Sequence, residues 1–338
     1  MRFSHLIALT ILMAMHIPST LADESTSDES LSPPCLTGCG HSKKDHQPCR
    51  QCQPLPAGVF CEGGPIRFRL MQGRLEIDPM RYRKGSEEHQ CERFQETISV
   101  SASSGIPAVY YSFHDSYQDI RLTAEYGGAL RIESTILATG EQGELIQLPN
   151  GSIQFRTRRL TSTPSDLNES CQGTTLLHIV GQDEDGFNVH LESLLSRLLQ
   201  GRSLIELTRE TETYLRDNTH RLTTVSREHV DELVTQLRSS KSSHRRAAVR
   251  ELTSFGSSAV PLLRASLSRH DLDTEQIARI QLILSNRARI DEDTSSSLAQ
   301  LMAADRSYWQ ILAKRMNKNQ WLIANDHVMR CGLESLSP

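Results

Sequence analysis

Four cysteines and two histidines fall within a short stretch near the N-terminus, PCLTGCGHSKKDHQPCRQC, which runs from Pro34 to Cys52. The side chains in it that could bind zinc are Cys35, Cys39, Cys49, Cys52, His41 and His46. The two cysteine pairs resemble the halves of a four-thiolate zinc site, because zinc in proteins is held tetrahedrally by thiolate and imidazole ligands. The same thiols can instead form disulfides, and the compartment decides which chemistry is favoured.

The chain begins with features typical of a cleavable secretory signal. A weakly basic start, MRFSH, is followed by an apolar run from Leu6 to Ile17, by Pro18, and by small residues that end at Ala22. The apolar run is shorter than the ~20 residues that a membrane-spanning helix needs. We therefore expect a signal peptide over residues 1–22 and an exported mature protein that is periplasmic or extracellular.

The predicted export favours disulfides over zinc. All eight cysteines lie beyond Ala22, and an even number of thiols in an oxidising compartment is typical of a disulfide set. We expect the close cysteine pairs of the Cys-rich segment, residues 35–61, to bond crosswise or to Cys61 and Cys91, which would attach the segment to the β-domain. We expect Cys171 to pair outside the cluster, with Cys331 as the candidate partner. A zinc site at the four thiolates, or a redox module in residues 35–61, is the alternative, and no other cofactor is expected.

No common catalytic motif occurs in the sequence: G-x-S-x-G, H-E-x-x-H, G-x-x-x-x-G-K-S/T and a strand-linked G-x-G-x-x-G are all missing. The acidic run from Gly181 to Gly186 is better explained as a turn that starts a helix than as a catalytic carboxylate pair. His178 lies in an apolar run, and we interpret it as a packed residue. The histidines expected on charged, solvated faces are His190, His220, His229 and His244. We therefore predict no catalytic or cofactor-binding residue and a protein that is not an enzyme.

The charge pattern excludes a dominant basic surface, because the net charge is −4 and both signs are mixed along the chain. We expect no nucleic-acid partner and, after signal cleavage, no membrane span. Cations that could form a basic strip are Arg238, Lys241, Arg245, Arg246 and Arg250. The acids interspersed with them are Glu228, Asp231, Glu232 and Glu251, and they favour a salt-bridged, solvated face instead.

The first structured part of the chain has the periodicity of strands. Residues 23–34 are acidic and rich in serine, and we expect them to form a disordered linker. From residue 62 to 161 apolar and polar residues alternate, as in IRFRLMQGRLEI, which predicts an antiparallel β-domain. Turns are expected at Gln72-Gly73, Gly127-Gly128 and Asn150-Gly151, the last with the type I′ geometry that suits strand twist.

The periodicity changes to that of helices in residues 174–338. The first buried helical face is predicted at Leu191, Leu194, Leu195, Leu198 and Leu199, and the second at Val230, Leu233, Val234 and Leu237. Asp273 and Gln276 are spaced as a capping box at the start of a later helix. Strands followed by helices predict an α+β fold.

One part of the helical region carries a more specific pattern. The residues that define it are Ala247, Ala248, Leu252, Phe255, Gly256 and Pro261, followed by Leu272, Asp273, Glu275, Gln276, Arg279 and Ile280. They describe a helix with small residues on one face, a glycine stop, and a second helix with proline in its first turn. The pattern resembles a HEAT-like helical repeat and, more narrowly, the repeat of a group of uncharacterised secreted planctomycete proteins. The resemblance covers about residues 174–331, implies a HEAT-like C-terminal domain, and brings no activity with it.

These observations together favour an exported, non-enzymatic protein. Stacked helix pairs leave extended surfaces that commonly bind other proteins, so we expect a protein-interaction or envelope scaffold role with another envelope or secreted protein as partner. The alternative function is the metal-binding or redox module in residues 35–61.

Overall fold

The computed structural model describes residues 60, 64–90, 92–103, 105–158, 170–285 and 292–337. The predicted signal peptide, the linker and almost all of the Cys-rich segment lie outside the described residues. Everything from Phe60 onward that is described belongs to one compact unit. In this part of the chain no helix is long and apolar enough to cross a membrane.

The β-region contains ten antiparallel strands in two sheets. A two-stranded hairpin is formed by β1 (Ile66–Met71) and β2 (Arg74–Tyr82). The eight strands of the large sheet are β3 (Gly85–Gln90), β4 (Phe94–Ser103), β5 (Ile106–Asp115), β6 (Gln118–Glu125), β7 (Ala129–Ile136), β8 (Gln142–Gln147), β9 (Ile153–Arg158) and β10 (Ser170–Gly173). They pair in chain order from β3 to β10, so each strand lies beside its neighbour in sequence.

The predicted alternation places one face of the large sheet in the core. Along β6 and β7 every second residue is buried, and the residues between them are mostly exposed. Apolar residues of the buried face include Ile98, Tyr111, Leu122, Ile132, Leu145 and Phe155. Since successive strand residues point to opposite faces, the opposite face remains open to solvent.

Two predicted hairpin turns are confirmed and one is wrong. Both residues have positive φ at Gln72-Gly73 (52° and 69°), and both glycines do at Gly127-Gly128. At the third turn Asn150 has a φ of 52°, but Gly151 donates its N–H to Leu148 O at 3.1 Å. The turn is therefore centred on Pro149 and Asn150, because proline supplies the negative φ of the first central position.

The chain after β10 is helical, which confirms the α+β fold. Its helices are α1 (Leu176–Gln182), α2 (Glu184–Phe187), α3 (Ser193–Leu198), α4 (Leu204–Asn218), α5 (Arg227–Gln236), α6 (Ser242–Ser254), α7 (Val260–Leu267), α8 (Thr274–Ser285), α9 (Ser295–Met302), α10 (Arg306–Ala313) and α11 (Lys318–Arg330). A π-helical turn, Asn188–Glu192, joins α2 to α3. The two predicted leucine and valine stripes are buried throughout.

Most of the local signals around α6 to α8 are confirmed. Gly256 has a φ of 63° just after α6, and a proline occupies the first turn of α7. Asp273 and Gln276 exchange two hydrogen bonds, of 3.0 and 2.7 Å, ahead of α8. Ala247, however, is exposed, while Ala248 is fully buried. Ala248 and Leu252 therefore form the predicted inward face of α6, and only Ala247 was wrongly assigned to it.

The β1–β2 hairpin connects the large sheet with the helices. The backbone of Leu75 is held at both its N–H and its C=O by the side-chain amide of Gln147 in β8. At the tip, Leu176 of α1 donates its N–H to Gly73 O at 2.8 Å. Phe68 of β1 is buried in the same apolar core as the sheet and the helices. The β-region and the helices thus share one core.

Candidate functional site

Buried charges gather at the tip of the β1–β2 hairpin. Arg74 is 3% exposed and donates to three backbone carbonyls, those of Leu148, Gly151 and Thr174. Burial, with a smaller contribution from the nearby Arg264, lowers the pKa of Arg74 to about 9. These hydrogen bonds hold the β8–β9 turn and the residues just before α1 against the hairpin, so the role of Arg74 is structural.

Asp293 completes this cluster from the segment before α9. Its Oδ2 accepts the N–H of Gly73 at 2.7 Å, and its own N–H donates to Leu70 O at 3.1 Å. Burial raises the pKa of Asp293 to about 6, although the Gly73 and Gln72 amides and Arg202 oppose the rise. The carboxyl group thus joins the helical layer to the hairpin.

His178, Asp305 and Ser307 form the most catalysis-like cluster in the described part of the chain. Nε2 of His178 lies 3.0 Å from Ser307 Oγ and 3.4 Å from Asp305 Oδ2, while Nδ1 lies 2.9 Å from Thr175 Oγ1. In a Ser-His-Asp triad the serine donates to Nε2 and the aspartate binds Nδ1. Here the serine and the aspartate meet the same ring nitrogen.

The proton positions in this cluster do not suit a nucleophilic serine. Ser307 donates its hydroxyl proton to Asp305, so Nε2 of His178 is the donor and cannot accept that proton. Asp305 also accepts the backbone N–H groups of Ser307 and Tyr308 at the start of α10. Burial alone would raise the pKa of Asp305, but His178 and these hydrogen bonds outweigh it and hold the pKa below its ordinary value. The cluster therefore caps the N-terminus of α10. The prediction that His178 is packed is confirmed, since His178 is 1% exposed.

His190 is a second buried histidine, and the prediction that it is solvated is wrong. It is 1% exposed and lies in the π-helical turn, with Nδ1 at 3.1 Å from Ser134 Oγ. Burial lowers the pKa of His190, although Glu141 opposes this. The imidazole occupies the space where Gly143 has no side chain: a Cβ there would lie 2.5 Å from the ring Cγ. The glycine in β8 was the sequence signal for this close approach.

The predicted surface histidines and cysteines have different outcomes. His220, His229 and His244 are exposed, as expected. Cys331 is a buried, free thiol, 3.7 Å from His327 Nε2, so the predicted Cys171–Cys331 disulfide is wrong. Burial raises the pKa of the Cys331 thiol, which disfavours the reactive thiolate.

The predicted zinc ligands Cys35, Cys39, Cys49 and Cys52 lie outside the described residues. Among those that are described, no group of three or more His, Cys, Asp or Glu side chains is arranged to hold a metal ion.

The cations of the α5–α6 connection and of α6 are arranged differently from the expected salt-bridged face. The acids that the sequence places among them have other partners: Asp231 pairs with Arg269 at 3.0 Å, and Glu251 with His229 at 2.7 Å. Arg245 pairs with Glu275 at 3.6 Å. Four exposed cations, here called the basic strip, form no ion pair with any described residue: Arg238, Lys241, Arg246 and Arg250. These four cations therefore have no acidic side chain within salt-bridge distance among the described residues.

Comparison of the chain with models of known protein families, with curated proteins and with solved structures gave no match.

Proposed function

We propose that the protein is an exported, non-enzymatic docking protein that binds another envelope or secreted protein through the surface of its helical region. The observation that carries the proposal is the basic strip in the α5–α6 connection and on α6, whose four cations are exposed and have no ion pair among the described residues. The signal peptide predicted over residues 1–22 supports export, and the resemblance of the α6–α7 segment to a HEAT-like repeat supports a docking surface.

The charge of the strip indicates the chemistry of the partner. Exposed charges of one sign attract a partner of opposite sign and accelerate its association. Arg246 and Arg250 lie one helical turn apart on α6, so both guanidinium groups face the same side. A partner that presents an acidic surface complements them. Since all these cations are exposed, the attraction weakens as salt is raised.

The experiment compares two double variants of the mature chain, residues 23–338. Arg246→Glu/Arg250→Glu reverses the charge of the strip, and Arg156→Glu/Arg158→Glu makes the same charge change on β9. Each protein is immobilised and exposed to the envelope fraction of the native host at low and high salt. We expect one protein to be captured by the wild type and the β9 variant, at low salt only, and to be lost with the α6 variant.

Two results would contradict the proposal. Capture of the same protein by both variants would show that the strip is not the docking surface. Failure of the wild type to capture any protein at low salt would count against docking itself. Far-ultraviolet circular dichroism of both variants verifies that the charge changes leave the helices folded.

A second candidate function rests on the spacing of Cys35, Cys39, Cys49 and Cys52, which also suits a zinc site or a redox module. The test is the mass of the unreduced mature protein after alkylation, together with its zinc content. Four cysteines that become labelled only after chelation would support zinc, whereas absence of label and of metal would support disulfides.

A further inference from the structure

His327 is a fully buried histidine at the contact between the C-terminal helix, α11, and α10. Its imidazole is 0% exposed, and the centre of its ring lies 5.6 Å from that of the Trp309 ring in α10. Nε2 lies 2.9 Å from Ala303 O, and because a carbonyl oxygen can only accept, Nε2 carries the proton. Trp309 donates its Nε1–H to the same oxygen at 3.1 Å. The site is therefore built for a neutral imidazole that donates from Nε2.

The other ring nitrogen, Nδ1, has no place for a proton. It is buried and forms no hydrogen bond with any described residue. A second proton would give the ring a positive charge and would put an N–H where no acceptor lies within reach. Burying an unpaired charge is costly. Burial accordingly lowers the pKa of His327, although its hydrogen bond to Ala303 opposes this.

The charges around His327 do not remove this cost. The titratable or charged side chains near it are Asp326, Arg330 and Cys331 at the end of α11, and His220 and Arg221 in the 3₁₀ turn that packs against this helix. Arg330 opposes a second positive charge. Asp326 favours one, but it is exposed and already binds Arg330 at 3.1 Å. His220 and Arg221 are exposed, and the ring that α10 presents is that of Trp309, which does not titrate.

Few buried side chains hold α11 in place. Of its 13 residues only Ala324, His327 and Val328 are buried, while Leu322 and Ile323 are 51% and 54% exposed. Terminal elements with few buried contacts open at a lower free-energy cost than the core does. We propose that protonation of His327 in mildly acidic solution releases α11 from α10 and uncovers the adjacent thiol of Cys331. The inference does not depend on the docking function, because no residue of the basic strip lies on α11.

The direction of the pH effect follows from the two forms of the ring. In the released form the imidazole is solvated and has the ordinary histidine pKa of about 6.5. Well above that pH neither form binds a second proton, so the packed form keeps its full stability. Below it the released form takes up a proton that the packed form excludes, so the packed form loses stability as the pH falls. The ratio of released to packed molecules should therefore rise by up to about thirtyfold between pH 8 and pH 5.

The experiment measures how fast Cys331 of the mature chain, residues 23–338, reacts with 4,4′-dithiodipyridine, which labels thiols in both neutral and acidic solution. Peptide mapping assigns the label to Cys331, and each rate is divided by that of the urea-unfolded protein at the same pH. We expect this normalised rate to rise about ten- to thirtyfold between pH 8 and pH 5.

Two variants test the assignment to His327. His327→Gln retains an N–H for Ala303 O but does not titrate, so its normalised rate should rise by less than about threefold. His220→Gln changes the exposed histidine of the neighbouring turn in the same way, and it should behave like the wild type. An equal rise in the wild type and in His327→Gln would show that another group controls the opening, and would overturn the assignment.

Two results on the wild type alone would overturn the proposal, even if His327→Gln fails to fold. One is a normalised rate that is the same at pH 8 and pH 5. The other is the loss of most of the far-ultraviolet circular dichroism signal at pH 5, because Cys331 would then be exposed by unfolding of the whole protein rather than by release of α11.

Discussion

The buried carboxyl group of Asp293 is expected to make the protein less stable as the pH rises from about 4 to about 6. Asp293 is 6% exposed, and burial raises its pKa to about 6 in the folded protein. In the unfolded chain an aspartate has a pKa of about 3.9. Between the two values the unfolded state releases its proton while the folded state keeps it. Deprotonation therefore favours unfolding over this range.

The size of the effect follows from the two pKa values. A difference of about two corresponds to about 3 kcal/mol of stability, which is present below the unfolded pKa and is lost once the pH exceeds the folded pKa. The substitution Asp293→Asn removes the titration but leaves an amide oxygen that can accept the Gly73 N–H. We expect the stability of Asp293→Asn relative to wild type to rise by about 3 kcal/mol between pH 4 and pH 7.

The assay is urea unfolding of wild type and Asp293→Asn at pH 4, 5, 6 and 7. Taking the difference between the two proteins at each pH cancels the titration of all other groups. Asp271 provides the control, since its exposed carboxylate binds Arg269, which lowers its pKa. Asp271→Asn should show no rise of the same sign. A difference between wild type and Asp293→Asn that is constant over this range would refute the reasoning.

Three further outcomes test the packing. Leu263 is fully buried, so Leu263→Asp should destabilise by roughly 4 kcal/mol or more, whereas exposed Arg250→Ala should stay within about 0.5 kcal/mol; equal melting temperatures would show that the faces of α6 and α7 are mis-assigned. Gly143→Ala should lower stability by about 1 to 3 kcal/mol, because its Cβ would overlap His190, and an unchanged urea midpoint would contradict this. Peptide mapping should find Cys331 unlabelled by iodoacetamide until the protein unfolds, and rapid labelling in native buffer would show that the thiol is accessible.

The parts of the fold that sequence could predict are those governed by local periodicity. Alternation over β6 and β7 and the leucine stripe that ends at Leu199 each depend on residues a few positions apart, so burial follows directly from spacing. The capping pair Asp273 and Gln276 is likewise a contact over three residues. The positive φ of Gly73 and of Gly256 could be predicted from residue type alone, because glycine adopts this conformation without steric cost.

The local errors arise where a neighbour in space overrides the local pattern. The prediction that His190 is solvated was wrong because Gly143, on strand β8, leaves space for the imidazole ring. The faces of α6 were misjudged at Ala247 because alanine suits both exposed and buried positions, so it does not fix a helical face by itself. The salt-bridged face was wrongly preferred to a basic strip because ion pairing depends on which acids lie within reach, and Asp231 and Glu251 pair with Arg269 and His229 instead.

The junction between sheet and helices could not have been predicted, because its contacts join residues far apart in sequence. Gly73 and Asp293 are separated by 220 positions, and Arg264 and Gln72 by 192. Arg74 and its acceptor Thr174 are separated by 100 positions. Nothing in the local sequence of Arg74 distinguishes it from an exposed arginine on a strand. The charges buried at the hairpin tip are satisfied by groups far away in sequence, and removing one partner leaves the other buried and unpaired. At the hairpin tip, therefore, the folding of the β-region and the packing of α1, α7 and the segment before α9 depend on the same contacts.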